Sequence, residues 1–270
     1  VDSTKHYENF PVASILFLFA LREPVAAIYT FARTADDFAD EGTLTPDQRQ
    51  ALLKGYEAEL HVIAAGRPTP HPVFMRLAPV IAKYNLPLPL FHDLLDAFRQ
   101  DITKTHYATF DELMDYCRRS ADPVGRLLLH LFNTATPENC ILSDRICSAL
   151  QLINHWQDVA VDFKKSRCYL PEEDLKRFGV TGEDIASERC NEPWNRLMRF
   201  QVDRARALMQ AGSPLGRILP GRIGLEIRTI MEGGLCILKK IESVDFDIFR
   251  HRPVLTTRDW PLMLWRALTK

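Results

Sequence analysis

One helical pattern runs unbroken from Thr136-Pro137 to about Phe163, some 27 residues, more than twice the ~11–12 of an average helix. An element that long has to be central, with other helices packed around it. The rest of the chain agrees. Helical periodicity dominates, and strand-like alternation bounded by hairpin turns is almost absent. Pro24 reads as the first residue of a helix reaching about Glu41, with Gly42 beyond its end. Thr45-Pro-Asp-Gln48 and Thr109-Phe-Asp-Glu112 are capping-box patterns. The first opens a helix to about Ala65. The second opens a segment that breaks near Ser120–Gly125 and resumes from Arg126 to Phe132. Pro70 to Tyr84 and Pro89 to about Ile102 are two further candidates. After Pro171, short helical pieces precede long helices over about 192–211 and 221–241 and a last one over about 259–268. The breaks at 66–72, 132–137 and 212–221 are too short for interdomain linkers, and no repeat is visible. Residues 1–270 are therefore expected to form a single all-α domain of about ten helices.

The long helix carries an oddity. Ile146, Ala149, Leu150 and Ile153 make an apolar face, and then Asn154, Asp158 and Asp162 follow at i, i+4 and i+8, with Gln157 one position off that line. A polar ladder interrupting a central helix is costly unless its members are satisfied. Lys164, Lys165 and Arg167 follow at once. Carboxylates succeeded by cations suit a metal-bridged polyphosphate, in which metals neutralise some oxygens and Arg or Lys bind others.

A second acidic face lies in Arg33-Thr-Ala-Asp-Asp-Phe-Ala-Asp-Glu41. Asp36 and Asp40 stack one turn apart, as do Asp37 and Glu41. Like charges at that spacing repel, and they sit where the helix dipole disfavours anions. Read alone, the segment also fits a solvated acidic helix end. The apolar surroundings (Phe31, Ala32, Ala35, Phe38, Ala39) and Arg33 one turn earlier favour a site where an external cation restores the balance. Paired carboxylates are hard ligands of the kind Mg²⁺ uses, with substrate phosphates completing its shell. Two such faces predict a cavity with an acidic rim on opposite walls and apolar, aromatic lining below. The chemistry this permits is metal-assisted departure of diphosphate from an allylic or cyclopropylcarbinyl carbon.

Composition narrows the partners. Thirty-four basic against thirty-five acidic residues leave a formal charge of −1, which gives no support for bulk nucleic-acid binding. Six cysteines without a Cys-x-x-Cys pair read as free thiols of a reducing cytoplasm. The early apolar run Pro11–Leu21 is too short to span a bilayer. It reads mainly as core, with contact to a greasy substrate or, peripherally, to the inner face of a membrane as the alternative.

Both acidic segments resemble motifs of the squalene/phytoene synthase family. Arg33-Thr-Ala-Asp-Asp-Phe-Ala-Asp40 is similar to its first Asp-rich motif, and Asn154-His-Trp-Gln-Asp158-Val-Ala-Val-Asp162 to its second, with Arg167-Cys-Tyr169-Leu-Pro171 as the usual tail. Tyr29 matches a tyrosine beside the first motif, and Tyr116-Cys-Arg-Arg-Ser-Ala-Asp-Pro-Val-Gly125 resembles the tyrosine-to-glycine segment that lines the cavity. Within the family, His6–Ser14, Asp203-Arg-Ala-Arg-Ala, Pro220–Glu226, Gly233-Gly234 and Arg252-Pro-Val-Leu with Arg258-Asp-Trp260 resemble the bacterial hydroxysqualene synthase branch. Arg206-Ala207-Leu208 lacks the aromatic pair common in phytoene and squalene synthases, which speaks against phytoene as product.

The resemblance implies the all-α class I isoprenoid synthase fold and a small-molecule isoprenoid diphosphate substrate. The implied reaction converts presqualene diphosphate and water to hydroxysqualene and diphosphate. Pathway enzymes that supply the substrate and reduce the product are implied partners. Two or three Mg²⁺ ions are implied, held by Asp36, Asp40, Asn154, Asp158 and Asp162, with no NADPH. Arg33, Asn154, Gln157, Lys165, Arg167 and Tyr169 are implied substrate contacts. Tyr29 and Tyr116 join the four aspartates as catalytic candidates, by donating to phosphate or facing the cation. His155 is expected to be a packing or surface residue, and Glu8 and Asn9 are weaker candidates for placing water. Alternatives are a synthase making presqualene diphosphate or squalene from farnesyl diphosphate, and a non-catalytic isoprenoid-binding protein.

Overall fold

The computed structural model describes residues 19–40 and 42–269. Thirteen α-helices lie among them: α1 Phe19–Asp40, α2 Pro46–Ala64, α3 Pro72–Tyr84, α4 Leu88–Asp101, α5 Phe110–Ser120, α6 Asp122–Leu131, α7 Pro137–Lys164, α8 Glu172–Phe178, α9 Gly182–Ala186, α10 Glu192–Gly212, α11 Leu215–Ile218, α12 Gly221–Ser243 and α13 Trp260–Thr269. No strand occurs among the described residues; His106 and Cys168 form one isolated bridge. The cysteines are free.

Local chemistry explains most boundaries. Thr45 and Gln48 form the reciprocal capping box of α2, and Thr136 caps α7 by accepting from the Asn139 amide. Four expectations need correction. Pro24 lies inside α1, not at its start. Leu21, Pro24, Val25 and Ile28 are buried in succession at i, i+3, i+4 and i+7, so continuous core packing outweighs the one lost hydrogen bond. At α5, Thr109 caps the Glu112 amide, but the Glu112 carboxylate takes the Ala108 amide at 2.6 Å, so the box is only half made. The break after Ser120 is a single residue, because Asp122-Pro123 begins α6 at once. The short helix α11 falls within a stretch expected to be a break.

The buried side chains form two clusters. The first belongs to α1–α4 with Leu127 and Leu131 of α6. Phe31 is its hub, meeting Tyr56, Phe74 and Phe91 at centroid distances of 5.6, 5.7 and 5.2 Å. The second surrounds α7, with α5, α10 and α12 against it and Trp156 and Trp194 fully buried. Gly212 lets α10 close on α7: a Cβ there would stand 2.8 Å from the Leu142 carbonyl oxygen and 2.5 Å from Ile146 Cγ1. Helices α4 and α6 touch both groups, so the two clusters form one helical domain. α1 comes from the first cluster and α7 from the second. Their acidic segments can therefore meet only at the seam.

Candidate active site

They do meet there. Arg167, three residues past α7, grips Asp40 at the end of α1 through two hydrogen bonds of 2.9 and 2.6 Å, and donates to the Asp101 carbonyl at 3.0 Å. A positive-φ Ser166 turns the chain to make this possible. Asp36 lies one turn before Asp40. Its carboxyl is pushed up to about 7, first by burial and then by repulsion from Asp40, against the pull of Arg33. Across the seam, Asp162 is also pushed up to about 7 by burial and by Asp158, with Asp40 adding to it and Lys165 and Arg167 opposing. The two acidic faces are thus close enough to repel each other.

Each face is partly neutralised by guanidinium groups. Arg33 pairs with Asp36 at 3.1 Å and with Asp37 at 2.7 Å on the same helix. Arg252, from the segment between α12 and α13, holds Asp158 in a fork at 2.5 and 3.1 Å. Gln157 donates to the Pro253 carbonyl next door. Lys165 is exposed beside Asp162. Asn154 and Tyr29 are half-buried on α7 and α1.

An aromatic and acidic floor lies under the seam. Tyr116 is buried and donates to Asp101 at 2.9 Å. Asp101 is pushed up to about 7 by burial, with Asp40 and Asp36 adding to it against the Tyr116 bond and Arg167. Tyr169 stacks on His155 at 3.7 Å between centroids, with Tyr107 and Tyr116 within 6.0 Å of Tyr169. Burial drives His155 down to about 3, so it is neutral, a packing histidine.

Asp36, Asp40, Asp158, Asp162, Arg33, Lys165 and Arg167 therefore come together, with Tyr116 and Tyr169 beneath. Glu8, Asn9 and the His6–Ser14 segment lie outside the described residues, as does Glu41. Two residues of the site were not singled out for it from sequence. Asp101 had a readable signal, since it sits at the dipole-disfavoured C-terminal end of α4 just as Asp40 ends α1. Arg252 stood out only as part of a segment resembling the family, and nothing in the sequence pairs it with Asp158, 94 positions away.

Among the described residues, no three acidic, thiol or imidazole side chains are already gathered around a metal-sized point. Mg²⁺ does not require that, because one or two carboxylates plus substrate phosphates commonly suffice. Aspartates raised first by burial and then by one another's charge are a donor set that a divalent cation relieves, so the residues present fit the ion.

The sequence profile of the squalene/phytoene synthase family matches residues 3–259. Hydroxysqualene synthase of Rhodopseudomonas palustris is 36% identical over 244 residues, covering 90% of this chain and 82% of that protein. Phytoene synthase of Arthrospira platensis is 30% identical over 281 residues, covering 99% and 90%. The crystal structure of squalene synthase HpnC from Alicyclobacillus acidocaldarius superposes with a TM-score of 0.83 at 39% identity, over 90% of this chain and 91% of that one.

Proposed function

Because the chain belongs to the squalene/phytoene synthase family, we propose that it is a hydroxysqualene synthase. It converts presqualene diphosphate and water to hydroxysqualene and diphosphate. The observation that carries this reading is the meeting of the α1 and α7 carboxylates, bridged by Arg167, above an aromatic floor. The relatives named hydroxysqualene synthase support the choice within the family.

When bound with substrate, Mg²⁺ supplies Lewis-acid stabilisation of the departing diphosphate. Asp36 and Asp40 would hold it from α1, and Asn154, Asp158 and Asp162 from α7. Arg33, Lys165, Arg167 and Arg252 already stand among these carboxylates and bind phosphate oxygens. The carbon–oxygen bond breaks with its electron pair leaving on diphosphate. Tyr116, bonded to Asp101, and Tyr169, beside Asp101, Arg167 and Asp162, stabilise the carbocation. Water oxygen forms the new bond and releases one proton. Nothing is oxidised or reduced overall, so the reaction draws on no nicotinamide. Neutral His155 supports Tyr169 by stacking without adding positive charge beside the cation.

Product analysis after incubation with presqualene diphosphate and Mg²⁺ in ¹⁸O-water, without reductant, tests the assignment. The expected product is the alcohol carrying one labelled oxygen. Release of presqualene diphosphate or squalene from farnesyl diphosphate would reassign the chain to a sister reaction. Binding without turnover of either substrate would make it an isoprenoid carrier.

A further inference from the structure

We propose that the outer face of α13, continued by the turn between α11 and α12, docks the protein on an anionic lipid surface. A surface helix normally turns its polar residues outward. On α13, Met263 and Ala267 are buried toward α12, and the opposite stripe reads Pro261, Leu262, Trp265, Leu268 and Thr269, without a charge. Trp265 is 61% exposed, Leu268 68% and Leu262 48%. The basic residue of the helix, Arg266, is half-buried and lies 3.9 Å from Glu232, off this stripe.

The stripe does not end with the helix. Arg228 donates to the Ala267 carbonyl at 2.6 Å and to the Gly216 carbonyl, so one guanidinium ties the end of α13 to α11. Leu268 follows Ala267 at this junction, and Ile218, two residues past Gly216, is 54% exposed. Arg217 and Arg222 are exposed, and no acidic residue occurs between Asp203 and Glu226 or between Asp259 and Thr269. An apolar stripe edged by exposed Arg222, on segments that carry no acidic residue of their own, complements anionic headgroups over an acyl boundary. A tryptophan at its centre suits that boundary, where an apolar ring and a polar N–H both find partners.

Size argues against a second protein copy. At ~200 Å² for each large side chain, the four apolar residues expose on the order of 450 Å², about half of the ~800 Å² per partner in a standard interface. The segment leading into α13 also carries Arg252 and Pro253 against Asp158 and Gln157, so the docking helix hangs directly from the site. The proposal stands apart from the reaction assigned above.

Co-sedimentation of the full chain with vesicles of phosphatidylcholine, alone or with phosphatidylglycerol, tests it. The protein is expected to sediment with the anionic vesicles, less so in high salt, with a blue shift of tryptophan emission that Trp265→Phe removes. Trp265→Glu with Leu268→Glu is expected to lower partitioning at least ~10-fold, and Arg222→Glu to weaken it on anionic vesicles alone. Thermal melts of these exposed-site variants are expected to match the parent. Failure of the parent to bind either vesicle, or unchanged binding of the double variant, overturns the proposal. So does a dimer in sedimentation velocity that the double variant converts to monomer, which would assign the face to a second copy.

Discussion

The two acid-bearing helices solve the same electrostatic problem with different mixtures of near and far counter-charge. On α1 the counter-charge of Asp36 and Asp37 is local: Arg33 reaches them three and four residues away. Asp40 of the same helix takes Arg167 from 127 positions along the chain; on α7, Arg252 reaches Asp158 from 94 positions away, while Lys165 opposes the Asp162 charge from three residues on. Yet Asp36 and Asp162 end at similar proton affinities, both raised to about 7 chiefly by burial. The lesson is that the seam, more than either helix, sets the chemistry. Local pairing trims part of the charge on each wall, and only the assembled domain supplies the rest.

The sharpest way to break this comparison is to remove one wall. Asp162→Asn and Asp40→Asn are each expected to lower turnover about 10²–10³-fold. The melting temperature of Asp162→Asn without metal should not fall by much. Burial raises the Asp162 carboxyl above its unfolded value of 3.8. Between about pH 4 and 7 the folded chain therefore holds a proton that the unfolded chain has released, and stability drops as pH rises through that window. Removing the carboxylate removes that cost. Intact turnover in steady-state assays of either variant would defeat the metal-assisted account.

Next in size is a defect confined to the α7 side. Gly212→Ala forces a methyl group against the Leu142 carbonyl and Ile146. It is expected to cost about 1–3 kcal/mol in denaturant unfolding, with the Mg²⁺ requirement of the folded fraction unchanged. A changed requirement would mean that the seam is softer than two rigid walls.

Titration offers a measure of both walls together. Protons on Asp36 and Asp162 compete with Mg²⁺ below about pH 7. The half-saturating Mg²⁺ concentration is expected to rise about tenfold from pH 8 to pH 6, as read by metal titration of activity. A flat profile would place the metal elsewhere. The smallest effect is expected at Glu23, exposed on α1 and paired with Arg76 at 2.8 Å. Glu23→Ala should shift unfolding by less than ~1 kcal/mol, a control for how little a surface pair contributes beside the Arg167–Asp40 bridge.

Much of this was readable in the chain. Helix content, the length of α7, the caps at Thr45 and Thr136, and both acidic faces follow from periodicity and hydrogen-bonding chemistry that act within a few residues. Pro24 was misread because its local preference for a helix start yields to the burial of Leu21, Val25 and Ile28 on one face. Asp101 announced itself only by an awkward place at a helix end.

What the sequence by itself determined are the parts whose physics is short-ranged: which segments coil, where they stop, and which carboxylates share a helix face. The tertiary structure alone decided that α1 and α7 meet at the seam of two cores, that Arg252 closes on Asp158, and that the outer face of α13 stays bare. These depend on burial and on Coulomb contacts between groups far apart in the chain, and such contacts exist only once packing has chosen the neighbours.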